Sequence, residues 1–406
     1  MNRKMRRLTK AVVAFSALSL VAAACGSDKK SSDTTVAAGT ETTAATETTV
    51  AAETTVAAGG ETTVAADTTV AGAATGAAGG KVGVILPDSK SSVRWELNDR
   101  PSLEAAFKAA GVEYDIQNAE GDAAKMTTIA DSMLSSGVKV LMIVNLDSAS
   151  GAAIQAKAEA AGVKTIDYDR LTLGGKASAY ISFDNVKVGQ LQGEGLLKCL
   201  ADKAVKPAKI IELHGSPDDN NATLFKQGYQ TAIQSAVDAG DIVVAGEEAV
   251  PGWDNVKGGT IFEQLLTKAG GKIDGVLAAN DGLGGAAIAV LDKNGLTVPV
   301  TGQDATPDGL KNVLLGKQCM TVYKAVKVEA EAAAGAAIAL LKGEAPATNG
   351  QTVKDSEGAR DVPAVLATPI AIYKENVKDV IADGFVAAAD VCTGDVAAAC
   401  TAAGIS

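Results

Sequence analysis

Aromatic side chains are scarce in this chain. Six Phe, six Tyr and two Trp make up 3% of its 406 residues, so any large core must rest on Ala, Val, Leu and Ile. Histidine is scarcer still: His214 is the only one, and neither G-x-S-x-G nor H-E-x-x-H occurs. Material for a hydrolase or a zinc protease is therefore thin. Positive charge is also in deficit. Lys and Arg number 37 against 48 Asp and Glu, for a net charge of -11. No basic patch can neutralise phosphates, which argues against nucleic acid as a partner. The five cysteines form no C-x-x-C, so zinc-ribbon and thioredoxin-like chemistry find no support. Cys199, Cys319, Cys392 and Cys400 could pair in an oxidising compartment, and Cys392 and Cys400 are close enough in sequence to clip the C-terminus.

Long apolar runs are absent but for one near the start. "MNRKMRRLTK" is basic, and "AVVAFSALSLVAAAC" follows and ends in small residues. That order reads as a secretory signal over residues 1–24, too short for a comfortable membrane span. Its end on Cys25-Gly26-Ser27 resembles a bacterial lipobox, with Ala22 at the position three before the cysteine. A lipidated Cys25 would anchor the chain to the outer face of the cytoplasmic membrane without crossing it. Residues 27–80 repeat "ETTVAA" and contain no Leu, Ile or aromatic residue. Such a segment cannot bury enough apolar surface to offset its ordering entropy, so residues 25–80 read as a tether.

From residue 81 onward, short apolar runs alternate with Ala-rich amphipathic stretches. The runs are "KVGVIL" (81–86), "YDIQNA" (114–119), "VLMIVN" (140–145), "KTIDYD" (164–169), "YISFDN" (180–185), "KIIELH" (209–214), "DIVVAGEEAV" (241–250), "GVLAAN" (275–280), "VPVTGQD" (298–304) and "CMTVYK" (319–324). Helical patterns lie between most of them, among them 122–136, 149–161, 221–236 and 284–293. Strands alternating with helices predict parallel sheets covered on both faces, and this many strands predicts two α/β lobes. Ligands in such sheets sit beyond the strands' carboxyl ends. Asp169, Arg170, Asn280 and Asp304 all fall at such ends.

"KTIDYDRLTLGGKASAYISFDN" poses the sharpest question. Two strand-like runs each stop on groups that are costly to bury: Asp167 to Arg170, then Asp184-Asn185. They are either solvated loop ends or the wall of a cleft that grips hydroxyls. Elsewhere Gly282-x-Gly284-x-x-Ala287, with Asp304 ending the next strand, superficially fits a dinucleotide fingerprint. Asn280 and Asp281 just before the turn, and an exported location, weigh against it. "SPDDNN" (216–221) is acidic enough for calcium but lacks EF-hand spacing, and it suits a helix N-cap equally well. His214 could be a base, although a lone histidine more often packs or lines. Trp95 and Trp253 each follow a predicted strand and sit at a strand-to-helix turn. Flat indoles suit the C–H faces of a sugar ring, and Asp, Asn, Arg and Lys suit its hydroxyls. The loop of Trp253 lies outside the predicted cores.

The stretches "RWELNDR" (94–100), "YDR" (168–170), "YISFDNVKVGQLQ" (180–192), "GSPDDNNATLF" (215–225), "GW" (252–253), "ANDGLGGAAI" (279–288), "GQDA" (302–305), "MTVYK" (320–324) and "DVPAVLATPI" (361–370) together resemble the periplasmic sugar-binding proteins of ABC transporters, over roughly residues 81–386. The resemblance implies the type I, Venus-flytrap α/β fold: two Rossmann-like lobes joined by three hinge crossings near Asp184, Lys324 and Leu366. One lobe would take 81–184 and 325–365, the other 186–323 and 367–390, leaving 391–406 as a C-terminal tail. It further implies a sugar ring held by Arg94, Trp95, Asp169, Arg170, Asp219, Asn221, Trp253, Asn280, Asp304 and Lys324. Where the family carries an acidic residue before the Arg-Trp pair, this chain has Val93. The implied function is that of a non-enzymatic, monomeric receptor without cofactor or metal. It would deliver an aldopyranose, D-xylose foremost, to a permease driven by an ATPase. A sensory module that presents bound sugar to a receptor kinase would need the same binding chemistry. An exported enzyme acting on sugars would need an acid–base pair at the scissile bond.

Overall fold

The computed structural model describes residues 79–348 and 350–405. The signal-like segment, Cys25 and nearly all of the tether lie outside the described residues. No described helix is long and apolar enough to cross a membrane.

Among the described residues twelve strands form: β1 Lys81–Leu86, β2 Glu113–Asn118, β3 Val138–Ile143, β4 Lys164–Tyr168, β5 Ala179–Phe183, β6 Ala208–His214, β7 Ile242–Ala249, β8 Gly275–Ala278, β9 Thr321–Tyr323, β10 Thr352–Asp355, β11 Arg360–Ala367 and β12 Ile370–Ile372. One sheet runs β10-β11-β5-β4-β3-β1-β2 and a second β7-β6-β8. β9 and β12 pair separately. All pairings in the first sheet are parallel except β10 with β11, and β9 with β12 is also antiparallel. The expectation of parallel sheets is corrected at these two places, the β10–β11 hairpin and the long-range β9–β12 pair. "VPVTGQD" is corrected too: it builds no named strand, and only Val300 bridges to Val276 of β8.

Alternation along β1 shows how few aromatics suffice. Val82, Val84 and Leu86 face one cluster with Leu103 and Phe107, while Ile85 faces another with Met126, Ile129 and Ile154. Helix Val326–Leu341 presents Ala330, Ala333, Ala334 and Ala337 to the first face. Small side chains let that helix lie close to the sheet, so van der Waals contact replaces bulk.

The chain leaves β5 into helix Asn185–Asp202, capped by the Asp184 carboxylate on the Lys187 N–H. It returns through the helix after β9 to the first sheet, where β11 pairs with β5. It leaves again at once, because β12 pairs with β9. The Asp184 N–H donates to the Ala367 carbonyl at 3.0 Å and ties two of these passages together.

Helix Asn220–Asp238 crosses helix Asn185–Asp202 with almost no gap. A Cβ on Gly189 would strike the Phe225 backbone, and one on Gly228 the Val186 carbonyl. Glycine at both positions is what the crossing requires. The crossing also fixes where Asn221 and Phe225 point. Disulfides join Cys199 to Cys319 and Cys392 to Cys400. Val391, Val396, Cys400 and Ile405 of the terminal segment pack with Leu310, Val313 and Tyr323 in a third cluster.

Candidate functional site

The carbonyl of Asp169 answers the question raised by "KTIDYDRLTLGGKASAYISFDN". Asp169 directly follows β4 with φ at 61°, in the left-handed region that is uncommon outside glycine. Its N–H donates to the Ile181 carbonyl at 2.8 Å. Tyr180 and Ser182, alternate residues of β5, aim hydroxyls at the Asp169 carbonyl at 3.1 and 2.7 Å, and Asn221 Nδ2 donates to it at 2.9 Å. Asn185 Nδ2 then binds Tyr180, Ser182 and the Asn221 amide oxygen. The polar ends of β4 and β5 are thus one fully bonded knot, and it aims the Asp169 carboxylate into a cavity. Asp167 points elsewhere, into buried bonds from Gln155 and Thr172, and burial raises its pKa to about 6.

Arg94 is held from three directions. Its Nε and Nη2 donate to Asp99 at 2.9 and 2.7 Å, Nη2 also donates to Glu329 at 2.7 Å, and Nη1 to Asp169 at 2.8 Å. The guanidinium lies 4.5 Å from the Trp95 ring centroid. Burial works to raise the pKa of Asp169, but Arg94, Lys324 and Arg170 outweigh it and hold the group below its ordinary value. It is therefore an ionised acceptor at neutral pH. Glu329 goes the other way: burial first, then the charges of Asp169 and Asp99, push it well above the carboxylate range. Burial raises Asp99 as well, against the pull of Arg94.

The opposite wall comes from the second sheet. Asp219 caps helix Asn220–Asp238 through the Asn221 N–H and accepts the Trp253 indole N–H at 3.1 Å. Trp253 has φ at 56° and lies against Gly215, where any Cβ would strike its ring. Phe225 meets it edge-on, with centroids 6.3 Å apart. Arg170 Nε reaches across to Asp219 Oδ2 at 3.0 Å, and Asn280 Nδ2 donates to the Ser91 carbonyl at 3.2 Å. Lys324 Nζ sits 2.9 Å from Asp304 Oδ1. Asp304 has φ at 92°. Three site residues in left-handed backbone, at a cost of about 1–3 kcal/mol each, mark a place where geometry overrides local preference.

These walls line one cavity. All ten residues singled out in the sequence line it, from Arg94 and Trp95 through Asp169, Arg170, Asp219, Asn221, Trp253, Asn280 and Asp304 to Lys324. Ser91, Ser92, Phe225 and Gln303 line it too and were not expected. Phe225 had a signal, since it lies four residues after Asn221 on the same helix face. Arg170 Nε, Gln303 Oε1 and Asp304 Oδ1 face this space without an aligned hydrogen bond from the described residues. For Arg170 and Asp304 the contacts above are ion pairs with bonding capacity to spare. A buried polar atom costs about 1–3 kcal/mol when unpaired, and of the three only Gln303 Oε1 has no charged partner beside it.

The dinucleotide alternative is closed off locally. The Asn280 side chain caps helix Asp281–Lys293 on the Leu283 N–H, where a pyrophosphate would sit. Asp281 turns inward to Gln318, Thr321 and Thr306, and burial, reinforced by Asp304, raises its pKa to about 7.

Comparison with known proteins agrees with this geometry. The family model described as a periplasmic binding protein domain matches residues 82–345. The D-xylose-binding periplasmic protein of Escherichia coli is 36% identical, over 75% of this chain and 90% of its own. The multiple sugar-binding periplasmic receptor ChvE of Rhizobium radiobacter is 32% identical, over 75% and 89%. Among solved structures, an ABC transporter solute-binding protein of Clostridium phytofermentans with bound β-D-glucose superposes with a TM-score of 0.71 at 30% identity, covering 77% of this chain and 99% of that one.

Proposed function

The chain belongs to the periplasmic binding protein family, and from that premise we propose that it is the exported receptor of a sugar ABC importer, closing on an aldopyranose, D-xylose foremost. Members of this family bind and release; they are not enzymes. The carboxylates that a glycosidase would use are occupied here: Asp169 with Arg94, and Asp219 with Arg170 and Trp253. One observation carries the reading. Two indoles from opposite walls, together with buried charged and polar side chains of both, line one cavity. The ten lining residues predicted from sequence are assigned as the sugar contacts. The lobes are taken as 81–184 with 325–365 and 186–323 with 367–390, hinged near Asp184, Lys324 and Leu366. Sugar shifts the population toward the closed form because it bonds to both lobes at once.

Trp95 and Trp253 are the only tryptophans, and both line the cavity. Intrinsic fluorescence therefore reports the site with no background. Adding D-xylose is expected to change it saturably, and no change with any aldose would overturn the reading.

Cys25 is proposed as the lipid anchor, with the Thr-rich segment as tether to the outer face of the membrane. Cys25→Ser is expected to release the protein into the medium with sugar affinity unchanged. Fractionation that finds the variant still on the membrane would remove the anchor. A permease and its ATPase are the proposed partners. The kinase-sensor reading shares the binding chemistry but has no separate observation in its favour.

A further inference from the structure

Away from the cleft, the strands β6 and β7 bring a second polar group together. Glu212 and Glu247 stand directly opposite each other in the parallel register. His214 lies two residues beyond Glu212, so its side chain leaves the same face of β6. Its Nε2 is 3.1 Å from Glu247 Oε2 and 3.8 Å from Glu212 Oε2. One ligand atom from each of the three residues falls within 4.8 Å of the other two. Glu212 and His214 are buried, whereas Glu247 is half exposed on the edge strand and gives solvent a way in.

We propose that Glu212, His214 and Glu247 form a binding site for a divalent transition-metal cation, Zn²⁺ in the first instance. Around a tetrahedral Zn²⁺ with ligands at about 2.0–2.2 Å, donor atoms stand about 3.4 Å apart. The observed separations bracket that value. One imidazole and two carboxylates leave a fourth position for water. The remaining ring nitrogen is already provided for: His214 Nδ1 hydrogen-bonds to the Tyr229 hydroxyl, on helix Asn220–Asp238. An outer partner of that kind fixes the ring and directs the Nε2 lone pair at the metal.

Lys226 Nζ lies 3.0 Å from Glu247 Oε2 and competes with the metal for that oxygen. Gln230 Nε2 also reaches Glu212, at 3.4 Å.

The test is calorimetric titration of ZnCl₂ into the purified protein after chelator treatment and desalting. One Zn²⁺ per chain is expected. Glu247→Gln, at a half-exposed position where folding is not at stake, should weaken it at least tenfold. Tyr229→Phe should weaken it roughly 10- to 100-fold as an outer-partner loss. Lys226→Met should strengthen it by removing the competing ammonium. Sugar affinity, measured alongside, should be the same in the Glu247→Gln and Lys226→Met variants as in the parent, because neither residue lines the cavity. No stoichiometric Zn²⁺ on the parent would overturn the site. So would Zn²⁺ bound equally by the parent and Glu247→Gln.

Discussion

Arg94→Met is expected to abolish sugar binding and to cost about 3–5 kcal/mol of stability at pH 7, the range for removing one partner of a buried ion pair. Methionine approximates the volume, so the loss is one of charge and bonds. Asp99, Asp169 and Glu329 would be left in a site where the guanidinium is almost wholly excluded from water. The pH dependence gives the sign. In the parent, Asp169 lies below its ordinary pKa, so its contribution to stability is present above the unfolded value, about 3.9, and is lost as pH falls through the folded one. Without Arg94, its largest attractive partner, that carboxyl protonates at higher pH. The stability deficit of the variant should therefore shrink between pH 7 and pH 4. Arg94→Lys keeps the charge but cannot fork between Asp99 and Glu329, and should fall in between. Urea unfolding at both pH values measures this, and an equal deficit at both would show that the loss is packing rather than charge.

Trp253→Ala carries the second large effect. Truncating a buried aromatic contact typically costs about 2–4 kcal/mol of binding, or roughly 30- to 1,000-fold in affinity. The sequence placed the loop of Trp253 outside the cores, and here the structure corrects it. Trp253 is buried within the core cluster of the second sheet, against Gly215 and edge-on to Phe225. The same truncation should thus also cost about 3–5 kcal/mol of stability. Trp253→Phe should keep most of the fold but lose the indole N–H bond to Asp219. Binding should be measured well below the melting temperature of each variant. A folded Trp253→Ala protein that binds sugar as tightly as the parent would take Trp253 out of the site.

Much of this was legible because strand ends and helix starts are written locally. "KVGVIL" is β1 residue for residue, and Asp169 and Arg170 after β4, Asp219 and Asn221 after β6 and Asn280 after β8 reach the cavity. Other features depend on partners far along the chain. β11 is held by pairing with β5, and β12 by pairing with β9, so neither needs a strong local signal. Glu329 sits in an Ala-rich helix two residues before the exposed Glu331, and only tertiary folding brings it to Arg94. Asp99 follows Arg94 by five residues, a spacing that the π-helical turn Trp95–Asp99 brings together and an extended loop would not. The positive φ of Asp169, Trp253 and Asp304 could not be read locally, because no glycine marks these positions.

The most direct measurement is isothermal titration of the purified protein against D-xylose, D-glucose, D-ribose, L-arabinose and D-galactose in turn. Binding of one D-xylose per chain is expected, with a negative heat-capacity change as the indoles and the ring are desolvated together. Asp169→Asn should lose that binding, because it removes the ionised acceptor at the centre of the cavity. Absence of a binding isotherm with every aldose would contradict the assignment of this cleft as a sugar site.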